Sequence, residues 1–176
     1  MHSAANNDLC GGTEQSRTVA AMRLPLPVLA VLLVAGSDLR AETTARAHHA
    51  LTGHWGVARA EPAPWLSGEA AAALKGQSDP LIDQRVSFSS TAMSSRYPVL
   101  NCSDAEFSAT RMPPEGLFQG NLPGHPAKFA KRLGFKDGEI DGVDVTCSAG
   151  AFSFHFIDRN TALFALDNVI YRLRRR

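Results

Sequence analysis

Histidine is the first residue type in this sequence that could carry chemistry. His48, His49 and His54 fall within seven residues, and His155 stands far downstream. His48 and His54 could join His155 around a first-row metal. Such a site needs ligands fixed by regular structure and held by outer partners. His48 and His49 fall in a polar lead-in, so the expectation is no metal. His155, in FSFHFIDRN, alternates away from Phe152, Phe154 and Phe156. Asp158, three residues on, shares the Phe face by strand parity, so the two form no dyad. No G-x-S-x-G elbow is present. His155 therefore reads as a hydrogen-bonded histidine on one sheet face, and no catalytic residue is expected.

Carboxylates come next. Asp137, Glu139, Asp141 and Asp144 cluster in KDGEIDGVD. The EF-hand order is not met, and a solvated acidic loop before a strand is the reading. The C-terminal RLRRR gathers Arg172, Arg174, Arg175 and Arg176. These guanidinium groups suit phosphate, lipid headgroups or an acidic protein, so a weak membrane-surface contact stays open. A frayed, solubilising end is the plainer expectation. Phosphate-loop, dinucleotide, zinc-protease and C-x-x-C motifs are missing, and no cofactor is expected.

The elements that must position these groups fit one domain. The chain has 176 residues, 44% of them apolar and 20% charged, a balance typical of folded proteins. Its net charge of +1 gives no global field for nucleic acid. Met22-Arg23 and the apolar run 24–36 have the form of a secretory signal, assigned to 22–41. The run is too short for a membrane-spanning helix, which needs roughly 20 residues. Cleavage after Gly36 and after Ala41 both remain open. Residues 1–21 read as an upstream extension or a long n-region, and 42–50 as a flexible lead-in. Cys10 is then lost, leaving Cys102 and Cys147 as an expected disulfide in a periplasmic or secreted protein.

The single domain, 51–176, contains all nine Phe, both Trp and both Tyr. Strand-like runs cover 51–60, 84–90, 97–101, 106–110, 143–148, 151–157, 163–166 and 169–173. Asp158-Arg159-Asn160 and Asp167-Asn168 supply turns. Residues 68–76 read as one or two helical turns closed by Gly76. Pro126 to Leu133 reads as a helix, with proline at its start and Gly134 past its end. Leu117 and Phe118, bracketed by turn formers, either line a pocket near a barrel mouth or complete the core. The pattern predicts a mainly β, antiparallel barrel or sandwich with one or two short helices.

Gly53-His54-Trp55 at the start of the first strand, with Arg172 or Arg174 near the last, resembles the lipocalin or calycin pattern. The resemblance implies an exported β-barrel whose floor is plugged by Trp55 and covered by Arg172 or Arg174. The expected function is a carrier or sensor of a small apolar or amphipathic ligand. Leu117, Phe118, Phe152, Phe154 and Phe156 are the candidate wall residues. The alternative is a protein-interaction module, such as a periplasmic enzyme inhibitor, using the 112–126 stretch. An enzyme is the third reading, without a motif to support it.

Overall fold

A computed structural model describes residues 49–75 and 77–176. The upstream extension, the signal, Cys10, His48 and Gly76 lie outside the described residues. The protein is mainly β: eight antiparallel strands form one curled half-barrel sheet. The strands are β1 (Gly53–Pro62), β2 (Arg85–Phe88), β3 (Met93–Ser95) and β4 (Glu106–Met112). They continue as β5 (Ile140–Cys147), β6 (Gly150–Asp158), β7 (Thr161–Leu166) and β8 (Val169–Arg175). Two α-helices, α1 (Gly68–Lys75) and α2 (Pro126–Leu133), accompany them.

The order is β3-β2-β1-β8-β7-β6-β5-β4. Strands β4 to β8 form a meander, because short turns permit only antiparallel neighbours. The turn between β7 and β8 is Asp167-Asn168, with φ of 48° and 64°. Two left-handed central residues match the twist of the flanking strands, and Asp and Asn tolerate that region best. Strand β1 then pairs with β8, which leaves β3 and β4 at the two edges. Met93 and Cys102 exchange two backbone hydrogen bonds of 2.9 and 2.7 Å. Cys102, four residues ahead of β4, is bridged to Cys147 at the end of β5, with Cα atoms 6.0 Å apart.

Period-two alternation gives the sheet two buried faces. The inner face carries Trp55, Val57, Val86, Phe154, Phe164, Tyr171 and Leu173. Its rings interlock: Phe154 meets Phe88 edge-on at 5.2 Å and Phe164 at 5.3 Å, and Phe164 stacks on Tyr171 at 5.0 Å. The outer face carries Ile140, Leu163 and Ile170, roofed by Leu117, Phe118, Leu122 and Ala130. Helix α2 contributes to this roof through Phe129 and Leu133, which lie one turn apart. Gly134 stops it at φ 104°, where its N–H donates to the carbonyls of Ala130 and Lys131.

One local expectation is corrected. The 97–101 stretch is not a strand; Pro98–Leu100 forms a 3-10 turn. Proline at its first position fixes φ and removes the N–H a ladder would need. Strand β3 was not foreseen, because three residues carry too little alternation. Residues 49–51 are helical.

Candidate functional site

Three places on the half-barrel bring side chains together. The first is the floor at the start of β1. Trp55 is fully buried, and its Nε1 donates to the Leu51 carbonyl at 2.7 Å. A guanidinium lies 4.4 Å above its ring, and it belongs to Arg175. This corrects the lid expected from Arg172 or Arg174. Trp55 pairs with Arg175 across β1 and β8, and Arg175 shares the inward parity of Tyr171 and Leu173. Arg172 points outward and donates to the Leu133 carbonyl at 2.8 Å, capping α2. Arg174 donates to Thr161 Oγ1 at 2.9 Å. Arg175 also donates to the carbonyls of Thr52, Ala50 and Arg159. Three of the four terminal arginines are thus tied into the fold rather than frayed. Arg176 adds a backbone bond from its N–H to the His54 carbonyl, at 2.9 Å.

The second place is a groove at the end of β1 remote from Trp55. Its volume is about 600 Å³. Ala60, Leu74, Ile82 and Val169 give it an apolar lining, and Glu61, Lys75 and Asp79 bring charge to it. Asp79 is fixed from two sides: Leu81 N–H donates to Oδ1 at 2.8 Å, and the Tyr171 hydroxyl donates to Oδ2 at 2.8 Å. Burial raises the Tyr171 pKa, and the Asp79 carboxylate adds to the shift, so the hydroxyl remains a donor.

The third place lies on the outer face. A pocket of about 220 Å³ is bounded by the kinked segment Pro114–Gly120, the β7–β8 hairpin and β6. Phe118 and Gln119 stand at φ 51° and 60°, which turns the chain over the sheet. Phe118 meets His155 edge-on at 5.1 Å and Trp65 at 5.8 Å. Trp65 Nε1 donates to Asn168 Oδ1 at 3.0 Å.

His155 is 1% exposed, and among the described residues neither ring nitrogen has a hydrogen-bond partner. That corrects the hydrogen-bonded histidine expected on one sheet face. The face is right, but the roof of Phe118 covers it. Asp144 Oδ1 on the adjacent β5 and Thr110 Oγ1 on β4, one strand further, are also buried without partners among the described residues. Gly142 of β5 sits between Thr110 and His155; a Cβ there would lie 2.7 Å from Thr110 Oγ1 and 3.3 Å from His155 Nδ1. Burial pushes the His155 pKa down to about 4, against a weaker upward pull from Asp144.

The folded state therefore keeps His155 neutral while the unfolded chain takes up its proton near pH 6.5. Between those values the unfolded state binds more protons, so stability falls as pH drops from 6.5 towards 4. The loss amounts to about 3 kcal/mol. His155→Phe is expected to flatten that part of the curve, measured by urea unfolding across the range. An unchanged slope in the variant would assign the acid sensitivity to other groups.

The remaining sequence candidates fall elsewhere. Phe152 and Phe154 are buried in the inner core, where Phe156 packs at its margin beside Trp55, 6.3 Å between ring centroids. Leu117 and Phe118 lie in the outer core, and Phe118 lines the outer pocket. The acidic loop is partly paired: Asp141 meets Arg111 at 2.7 Å and Asp137 meets Lys131 at 2.9 Å. Such exposed pairs contribute little stability. His54 shares a 2.9 Å hydrogen bond with Ser87. No group of three metal-ligating side chains is found among the described residues, and no described helix is long and apolar enough to cross a membrane. The sequence missed Trp65, Asn168 and Gln119, which reach the outer pocket from segments distant in the chain. Comparison of the chain with protein-family models, curated proteins and solved structures finds no match.

Proposed function

We propose that this protein is an exported, calycin-like binding module that takes a small amphipathic ligand in the groove beside α1. The groove carries the reading. Its volume of about 600 Å³ falls within the range of small-molecule sites, and it combines an apolar lining with few charged groups. The ligand's apolar body would lie on Leu74, Ile82 and Val169, and its polar end would meet Lys75 or Glu61. The bridged cysteines support an oxidising compartment outside the cytoplasm. The curled sheet and the Trp55–Arg175 floor support the calycin-like assignment.

This reading moves the ligand away from the wall first expected. Phe154 packs against the Phe88 and Phe164 rings in the inner core, where Phe152 is also buried. That filling favours a second reading, a rigid protein-interaction module, because preformed surfaces bind with little ordering cost.

N-phenyl-1-naphthylamine, a neutral apolar fluorophore, tests the first reading. It is expected to brighten on the native protein and to be displaced by dodecanoate. Leu74→Arg is expected to weaken both by about tenfold or more, since a charge would displace apolar contact. The chain should keep its fold, because Leu74 is only half-buried. A probe that stays dark, or one indifferent to Leu74→Arg, would remove the groove as a ligand site.

A further inference from the structure

We infer that the groove beside α1 selects an amphiphile with one negative charge, an aliphatic carboxylate, and that Lys75 is the residue that reads that charge. The inference rests on the groove being the ligand site, and it decides which of the groove's charges the ligand uses.

Among the described residues, the ionic side chains lining the groove are Glu61, Lys75 and Asp79. Both carboxylates already have partners in the fold. Glu61 meets the Arg59 guanidinium at 2.8 Å, two residues back along β1. Asp79 accepts from the Leu81 N–H through one oxygen and from the Tyr171 hydroxyl through the other, each at 2.8 Å. A ligand cation would have to share either carboxylate with these donors. Lys75 has no ion-pair partner among the described residues. An ammonium group offers three donors and no acceptor, so its complement is an anion.

The local sequence sets this cation beside the apolar lining. Lys75 stands in the last turn of α1, where the carbonyl end of a helix favours a positive charge. Leu74, one residue earlier, packs against the inner core with Ile82 and Ala60. Gln77 and Ser78 follow closely and bring an amide and a hydroxyl to the groove. A carboxylate offers about four lone-pair sites, enough to accept from an ammonium, an amide and a hydroxyl together. An aliphatic ammonium accepts nothing, and Lys75 repels it.

The same groups disfavour a doubly charged head. The cost of desolvating an ion rises steeply with its charge. Lys75 is the one cation among the described residues of the groove, and two carboxylates lie on the same lining. A phosphate dianion is therefore the poorer fit, although it carries the same kind of oxygen acceptor.

N-phenyl-1-naphthylamine serves again as reporter, because it carries no charge for Lys75 to read. The displacing probes are dodecanoate, dodecyltrimethylammonium and dodecyl phosphate, three heads on one chain length. They are used below their micelle concentrations, at a pH where the phosphate is a dianion. Dodecanoate is expected to displace the reporter at about tenfold lower concentration than dodecyltrimethylammonium, and dodecyl phosphate to be weaker than dodecanoate. Lys75→Met is expected to weaken dodecanoate by about fivefold, the scale of one exposed charge contact, and to leave the reporter bright. Lys75→Glu is expected to reverse the order of dodecanoate and dodecyltrimethylammonium, which a purely structural lysine would not do. Both variants alter an exposed side chain, so the fold is expected to survive, and urea unfolding checks it. A reporter that stays dark on the native protein would remove the groove as a ligand site and this inference with it. A reporter that brightens and yields equally to dodecanoate and dodecyltrimethylammonium would overturn the charge selection alone. So would a Lys75→Glu protein that keeps the native order. Stronger displacement by dodecyl phosphate than by dodecanoate would overturn the carboxylate assignment.

Discussion

Trp55→Ala is expected to lower the unfolding free energy by about 3–5 kcal/mol, the usual cost of emptying a large aromatic site in a core. Few positions tie together so much of the chain. The Trp55 ring is fully buried, holds the Leu51 carbonyl through its N–H and lies under the Arg175 guanidinium. Arg175 in turn donates to the carbonyls of Ala50, Thr52 and Arg159. Removing the indole leaves an orphaned carbonyl and a cation without its aromatic partner. Trp55→Phe separates the contributions: the ring largely remains, the N–H goes, and a loss of about 1 kcal/mol is expected for the hydrogen bond. Arg175→Ala should cost less in Trp55→Phe than in the native chain, because indole attracts a cation more strongly than benzene. Trp65 remains as a fluorescent reporter of urea unfolding in all these variants. A change below about 1 kcal/mol for Trp55→Ala would show that the floor is not part of the stabilising core.

How far the sequence discloses this arrangement depends on the length of pattern each feature carries. The runs 143–148, 151–157, 163–166 and 169–173 alternate cleanly, and most of β5 to β8 lies there. Helix α2 carries proline and glycine at its two ends and was legible to the residue. The choice among the terminal arginines was not read correctly, although its signal was present. Tyr171 and Leu173 face inward, so parity sends Arg175 inward and Arg172 and Arg174 outward. The motif resemblance drew attention to the arginines on the wrong face. His155 shows a different limit. Parity placed it opposite the Phe face, but parity alone does not say what covers that face. The cover comes from Leu117 and Phe118, whose position depends on two consecutive left-handed residues, Phe118 and Gln119. Neither type signals that conformation in a sequence. The outer pocket was hidden for the same reason. Its walls come from residues 65, 118, 119, 121, 151, 153, 155 and 165–168, and only the folded sheet makes them neighbours.

Removal of the disulfide by Cys102→Ala with Cys147→Ala is expected to cost about 4 kcal/mol, from the chain entropy regained when a loop of this span opens. The bridged residues are 45 apart in sequence. Against a typical stability of about 5–15 kcal/mol, that is enough to leave a marginal fold. Alanine is the right replacement, because Cys102 is buried and serine would bury an unpaired hydroxyl there. The loss should not be spread evenly. Cys102 holds β3 through its bonds with Met93, and Cys147 ends β5, so the bridge ties the two edge regions of the half-barrel together. Without it, β3 has only β2 as a lateral strand and is only three residues long. Amide exchange at Met93 is therefore expected to accelerate more than exchange in β7 and β8, which are paired on both sides. Freed edges also offer unpaired backbone groups to other chains, so the variant should aggregate at concentrations where the oxidised protein does not. Equal acceleration throughout the sheet would show that the bridge acts only on the unfolded chain. Unchanged stability, in the variant and in the reduced native protein alike, would show that the Met93–Cys102 ladder and the inner core hold the edges without a covalent tie.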